Sequence, residues 1–249
     1  MNNFITNSDT KILKDRLNEL ILKSEELKFL VGFFYFSGIR ELFESIQKNS
    51  NVTLKILVGL NVDKTSYGLI EYPENAPLSD EEKINNFFDS IKKSINTTDF
   101  DKKDFYEQAR FFIQLVEEGR LIIRKTVDPN HAKLYLFKLN PTQVSRRNLF
   151  ITGSSNLTRS GLVEQSEFNV EISDYGVDNA EKYFDDLWKG GNSIEITENP
   201  ETRRKLIDVL KNETLIREIT PFEAYVYVLK NYLDTIEKKD ETTSLEELL

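Results

Sequence analysis

Apolar positions recur with two different periods along the chain, and the period predicts the element. Residues from about 9 to 26 place Ile12, Leu13, Leu17, Leu20 and Ile21 on one face of a helix. The run LKFLVGFFYF (27–36) is almost continuously apolar and reads as a strand buried on both faces. Ser37-Gly38 then opens a helix over IRELFESIQKN (39–49), and VTLKILVGL (52–60) is a second buried strand. A strand, a helix and another strand in that order predict a parallel pair with a crossover. Residues 61–82 lose periodicity and hold two prolines and clustered acids, which predicts a long surface loop or insertion. Helical periods return over about 80–96 and 103–118, with Gly119 as a stop signal.

The second half reads as strands. LIIRKTV, HAKLYLFKL and NLFITG are short strands, the last two joined by the hairpin-like loop LNPTQVSRRN. SEFNVEISD is a further strand in which Glu167, Asn169 and Glu171 alternate with core-type Phe168, Val170 and Ile172. Asp178 reads as the N-cap of NAEKYFDDLWKG, closed by Gly190-Gly191, with Trp188 in the core. Beyond residue 192 the pattern is helical and charged, TPFEAYVYVLKNYL is an amphipathic helix, and EKKDETTSLEELL reads as an acidic linker. The expected organisation is an α/β domain over residues 1–192 and a helical extension over 193–249.

Composition narrows the function classes. At 39% apolar and 30% charged residues, a chain of 249 residues can bury a full core. With no cysteine, disulfides, thiolate metal sites and cysteine nucleophiles are excluded, and a cytoplasmic location is expected. One histidine rules out multi-histidine zinc sites within one chain. No apolar run reaches the length of a membrane span, so no membrane partner is expected. The net charge of −9 argues against an indiscriminate nucleic-acid coat. Yet Lys125, Lys133, Lys138, Arg146, Arg147 and Arg159 gather around the histidine, so a local basic cleft remains open.

That histidine opens HAKLYLFK. Strand alternation puts His131, Lys133 and Tyr135 on one face and Ala132, Leu134 and Leu136 on the other, core-like face. An imidazolium and an ammonium side by side repel, and folding alone supplies no reason for the pairing, whereas a phosphate between them would. Gly153-Ser154-Ser155-Asn156 follows at the end of a strand, where backbone donors, hydroxyls and an amide can approach an anion. Glu167 follows in turn. Histidine is a nucleophile or general acid near neutral pH, lysine a point charge for a phosphoryl oxygen, and a carboxylate can orient an imidazole. These are the parts for phosphoryl transfer without a metal or other cofactor.

HxK, then GSxN, then a Glu eleven residues past the Asn resembles the phospholipase D superfamily. The chain is most similar to its branch with one motif per chain, which holds bacterial nucleases and a metal-independent restriction endonuclease. FLVGFFYFSGIRELF and GSSNLTRSGLVEQSEFNVEI are similar to that branch, and TPFEAYVYVLKNYL resembles the junction after such a domain in bacterial helicase-like proteins. The resemblance implies a mixed β-sheet flanked by helices and His131, Lys133, Asn156 and Glu167 as catalytic residues. It implies a two-step mechanism in which one histidine attacks phosphorus and a second protonates the leaving oxygen. With one histidine per chain, it therefore implies a homodimer. Ser154, Ser155, Arg146, Arg147 and Arg159 are the candidate substrate contacts, DNA the expected substrate, and a helicase region following this chain an expected partner. One departure concerns position 138, where many members carry Asp and this chain carries Lys, leaving Glu167 as the carboxylate partner. A non-catalytic DNA-binding or dimerisation module stays open as a rival, as does, with less support, a phospholipase.

Overall fold

The computed structural model describes residues 3–8, 12–62, 69–70, 78–95, 103–142 and 148–214, together with 225, 226 and 229. Its elements in chain order begin with β1 (Phe4–Ile5), α1 (Leu13–Ile21), β2 (Ser24–Val31), α2 (Phe36–Arg40), α3 (Phe43–Lys48) and β3 (Thr53–Val58). Then come β4 (Asn61–Val62), β5 (Leu69–Ile70), α4 (Asp80–Ile95), α5 (Lys103–Glu117), β6 (Leu121–Thr126), β7 (Leu134–Leu139) and β8 (Leu149–Gly153). A π-helical turn over Ser160–Glu164 leads to β9 (Asn169–Ile172), α6 (Val177–Trp188), β10 (Ser193–Glu195) and α7 (Pro200–Glu213).

One eight-stranded sheet, in the order β1-β9-β8-β7-β2-β3-β6-β10, forms the centre, and β4 and β5 make a separate two-stranded ribbon. Strands β2, β3 and β6 are parallel, and the remaining pairs are antiparallel. The mixed α/β sheet flanked by helices is the expected fold class. Both faces of the central strands are covered. One packs Leu30, Leu57, Leu134, Leu136 and Phe150 against Phe184 of α6. The other buries Phe29, Ile56, Ile123, Tyr135, Phe137 and Ile151, and α1, α4 and α5 contact this sheet. The run 27–36 is apolar throughout for that reason, although its strand runs from Ser24 to Val31 and its last residue, Phe36, begins α2. The same two-sided burial adds to the expected core side of Ala132, Leu134 and Leu136, since Tyr135 is fully buried on the opposite side.

Other expectations shift in detail. The first helix stops at Ile21, because Ser24 already pairs with Leu139. The crossover helix is two short helices. Asp178 lies in the first turn of α6 while Gly176, at φ 71°, occupies the cap. Gly119 ends α5 in the left-handed region, as its position suggested. At the start of β9 the expected alternation is reversed: Asn169 is fully buried and Phe168, just before the strand, is 58% exposed. Asn169 is satisfied inside by Ser155, whereas Phe168 lies near the sheet edge beside Phe4 of β1, with their ring centroids 5.2 Å apart.

The expected boundary after residue 192 falls too early. β10 pairs with β6, and α7 packs on α4 and α5, so the first compact unit runs from Met1 to Thr214. A second unit covers Leu215–Leu249, in which residues 225, 226 and 229 are helical and Tyr225, Val226 and Leu229 are exposed. Among the described residues, no helix is long and apolar enough to cross a membrane.

Candidate active site

The topology brings three separate segments to one edge of the sheet. β7 runs antiparallel to β2, so the residues just before it, His131 to Lys133, lie beside the carboxyl end of β2. β8 runs back along β7 and delivers Ser154, Ser155 and Asn156 to the same edge. β9 reverses again, and Glu167 precedes it. Loops at the carboxyl ends of parallel strands are where α/β sheets expose functional groups.

Lys133 is 5% exposed and His131 is exposed. The ammonium lies 3.0 Å from Nε2 of His131 and donates to its carbonyl at 2.7 Å. An ammonium has no acceptor, so Nε2 accepts and the ring proton belongs on Nδ1. Nε2 then carries the ring's in-plane lone pair, which the Lys133 ammonium engages. The carbonyl of Lys133 accepts from the Thr152 hydroxyl at 2.8 Å, tying the motif to β8.

Asn156 accepts at Oδ1 from the backbone N–H of Phe33 at 3.0 Å, leaving its amide nitrogen as the end that can donate to a phosphoryl oxygen. The following residues lie along the segment after β2: Tyr35 N donates to Leu157 O at 3.1 Å, and a Cβ on Gly38 would sit 2.2 Å from that carbonyl. Glycine at 38 thus permits the backbone approach that seats Asn156. The Ser154 hydroxyl donates to Glu167 and accepts from Phe168 N at 3.0 Å, joining the Gly-Ser turn to the carboxylate.

The residues under this surface are held by buried polar contacts. The Tyr135 hydroxyl donates to Ser155 O at 2.8 Å, and Asn169 Nδ2 donates to Ser155 Oγ at 2.9 Å. Burial, with the Glu167 charge as a smaller contribution, pushes the Tyr135 phenol far above its ordinary range. Ser155 is therefore fully buried and builds the turn, in place of the substrate contact expected of it. Arg159 is half exposed and pairs with Glu164 at 2.8 Å. Arg146 and Arg147 lie outside the described residues. Lys138, at the position where an acid was expected from the resemblance, pairs with Glu25 at 2.9 Å. Among the described residues, no group of three His, Asp or Glu side chains lies close enough to hold a metal ion.

A family model described as "Cardiolipin synthase, PLD-like domain" matches residues 19–188, which include every described residue of this edge. The chain belongs to the PLD-like domain family. No curated protein sequence matches it. Among solved structures, phosphatidylserine synthase of Haemophilus influenzae Rd KW20 is 16% identical with a TM-score of 0.45, covering 87% of this chain and 47% of that one. The PLD-like chain thus spans about half of that protein's length. Nuc from Salmonella typhimurium, a phospholipase D family member, is 14% identical (TM-score 0.39), covering 77% of this chain and 96% of its own. NucT from Helicobacter pylori is 11% identical (TM-score 0.38), covering 74% and 92%.

Tyr135 and Asn169 were missed as parts of the PLD-like site. Asn169 carried a signal, a polar residue in the same alternation as Glu167. Tyr135 carried only its strand parity with His131 and Lys133.

Proposed function

We propose that this PLD-like domain is a metal-independent phosphodiesterase that cleaves DNA through a phosphohistidine at His131, in a site shared by two copies of the chain. The observation that carries this reading is the Lys133 ammonium 3.0 Å from His131 Nε2, on the sheet edge that also holds Asn156, Ser154 and Glu167. Lys133 and the Asn156 amide bind the non-bridging phosphate oxygens. As Lys133 turns its N–H from His131 Nε2 to a phosphate oxygen, the freed lone pair attacks phosphorus, and a P–N bond forms as the P–O bond to the leaving group breaks. The leaving oxygen takes a proton from His131 of the second copy. That imidazole then accepts a proton from water, whose oxygen displaces His131 from phosphorus. The Ser154–Glu167 pair orders the turn that follows β8.

The second copy is required because the chain has one histidine and the step uses two. The Phe4–Phe168 pair supports a self-contact, since it exposes apolar surface next to Ser154 and Glu167. A role in a restriction or defence system, with a helicase region as partner, is part of the same proposal and is supported by the residue resemblance alone. The test is hydrolysis of plasmid DNA and of bis(p-nitrophenyl) phosphate in excess EDTA. Undiminished turnover is expected, and activity abolished by EDTA and restored by Mg²⁺ would refute the mechanism.

A further inference from the structure

Three buried cations of the sheet outside the His-Lys motif differ in how they are satisfied. Lys28 meets Glu181 and Asp185, and Arg124 meets Glu195 and Glu198. Lys125 is 2% exposed, and no ion pair with a described residue accompanies it. Its ammonium donates to two backbone carbonyls, Gly59 O at 3.0 Å and Thr126 O at 3.3 Å. Burial, reinforced by the like charge of Lys83 on α4, lowers its pKa to about 7. Removing an ammonium from water without a counter-ion is costly, and an apolar side chain of the same length would fill the space. Folding alone gives no reason for a lysine here.

The geometry supplies one. After β6 the chain crosses the end of β3 so closely that a Cβ on Gly59 would fall 1.8 Å from Asn130 O. At this crossing Gly59 O is the shared acceptor. It takes Asn130 N at 3.0 Å, Lys125 Nζ at 3.0 Å and the Thr126 hydroxyl at 3.2 Å. Gly59 N is bonded to Val31 O at 2.8 Å, so the acceptor is fixed to β2 as well. Asn130 precedes His131, and its Oδ1 accepts from Ala132 N at 2.9 Å, closing a turn around the histidine.

We propose that Lys125 is a positioning residue, holding the Gly59 carbonyl so that the Asn130–Ala132 turn presents His131 in one orientation. Its kinetic consequence rests on the phosphodiesterase reading; its structural consequence does not. His131 is the only histidine, so its imidazole C–H resonances report the turn without ambiguity.

The test compares the full chain with Lys125→Met and Lys125→Gln by NMR of His131, thermal melting and turnover of bis(p-nitrophenyl) phosphate. The methionine variant is expected to stay folded and to move the His131 resonances toward those of an unstructured histidine peptide. Its kcat should fall about tenfold or more with KM nearly constant, as misplacing a reacting group does. The glutamine variant keeps a donor one atom shorter and should lie between the two; it also carries the test if methionine prevents folding. Wild-type His131 resonances in a folded Lys125→Met protein would overturn the proposal, as would a larger displacement in Lys125→Gln than in Lys125→Met. Displaced resonances in a chain whose wild type lacks turnover would uphold the positioning role and refute the phosphodiesterase reading.

Discussion

Replacing Tyr135 by Phe isolates the contact beneath the Gly-Ser turn. The substitution keeps the ring that packs edge-on against Phe29, with centroids 5.0 Å apart, and deletes only the hydroxyl donating to Ser155 O. Tyr135 and Ser155 are both fully buried, so no bulk solvent replaces the lost donor. An unsatisfied buried carbonyl costs about 1–3 kcal/mol. In a domain of this size that lowers Tm by about 2–4 °C per kcal/mol. The pH dependence gives a second, independent signature. Burial raises the folded-state pKa of Tyr135 above its ordinary value of 10.0, so the folded chain keeps a proton that the unfolded chain releases. The stabilisation is complete below pH 10 and is lost as pH rises above it, by about 1.4 kcal/mol per pH unit. Tyr135→Phe lacks that loss. Urea unfolding should therefore find the wild type more stable at pH 8 and the gap closing above pH 10. Equal stability at pH 8, or parallel curves above pH 10, would refute the assignment of Tyr135 as a buried donor to the turn.

Lys125→Met should gain most stability relative to the wild type near and below pH 7, because it removes a buried charge. The folded-state pKa is about 7 against an ordinary 10.5, so the wild type gains stability as pH rises through that interval and the advantage of the variant shrinks; a pH series of thermal melts checks this. Mixing wild type with excess His131→Ala chains should suppress turnover more than dilution does, because each mixed dimer holds one imidazole; activity proportional to wild-type content would contradict the shared site. Gly38→Ala places a methyl group 2.2 Å from Leu157 O, which forces the backbone that seats Asn156 to shift, and should reduce both Tm and turnover; an unchanged protein by melting and kinetics would contradict the seating role.

The sheet was legible because its central strands are apolar on both faces, and period alone separates them from the helices. Thus Val52–Leu60 read as a buried strand, and Thr53–Val58 within it pairs in parallel with β2. β10 was not legible: Ser193–Glu195 is three residues long and is recruited by β6, a tertiary contact that leaves no periodic trace. Phe168 and Asn169 misled for a related reason. Alternation was read as apolar inward, but the buried asparagine is satisfied by Ser155 and the phenylalanine lies by an edge strand. His131, Lys133, Asn156 and Glu167 were read as a chemical set from their motifs, and the topology brings the segments that carry them to one edge. The supports beneath them were not, because Tyr135 and Lys125 sit in apolar strands where only the fold reveals which carbonyl each one serves.

The central claim is that His131 carries the phosphoryl group during turnover. The direct measurement is an alkaline quench of the protein reacting with bis(p-nitrophenyl) phosphate, followed by mass mapping of the peptide holding His131, since phosphohistidine is labile to acid. The account predicts a p-nitrophenylphosphoryl adduct on His131 that appears within the first turnover and is absent from His131→Ala, which has no activity. Full turnover by His131→Ala, or sustained turnover by the wild type with an adduct on another residue, would contradict it.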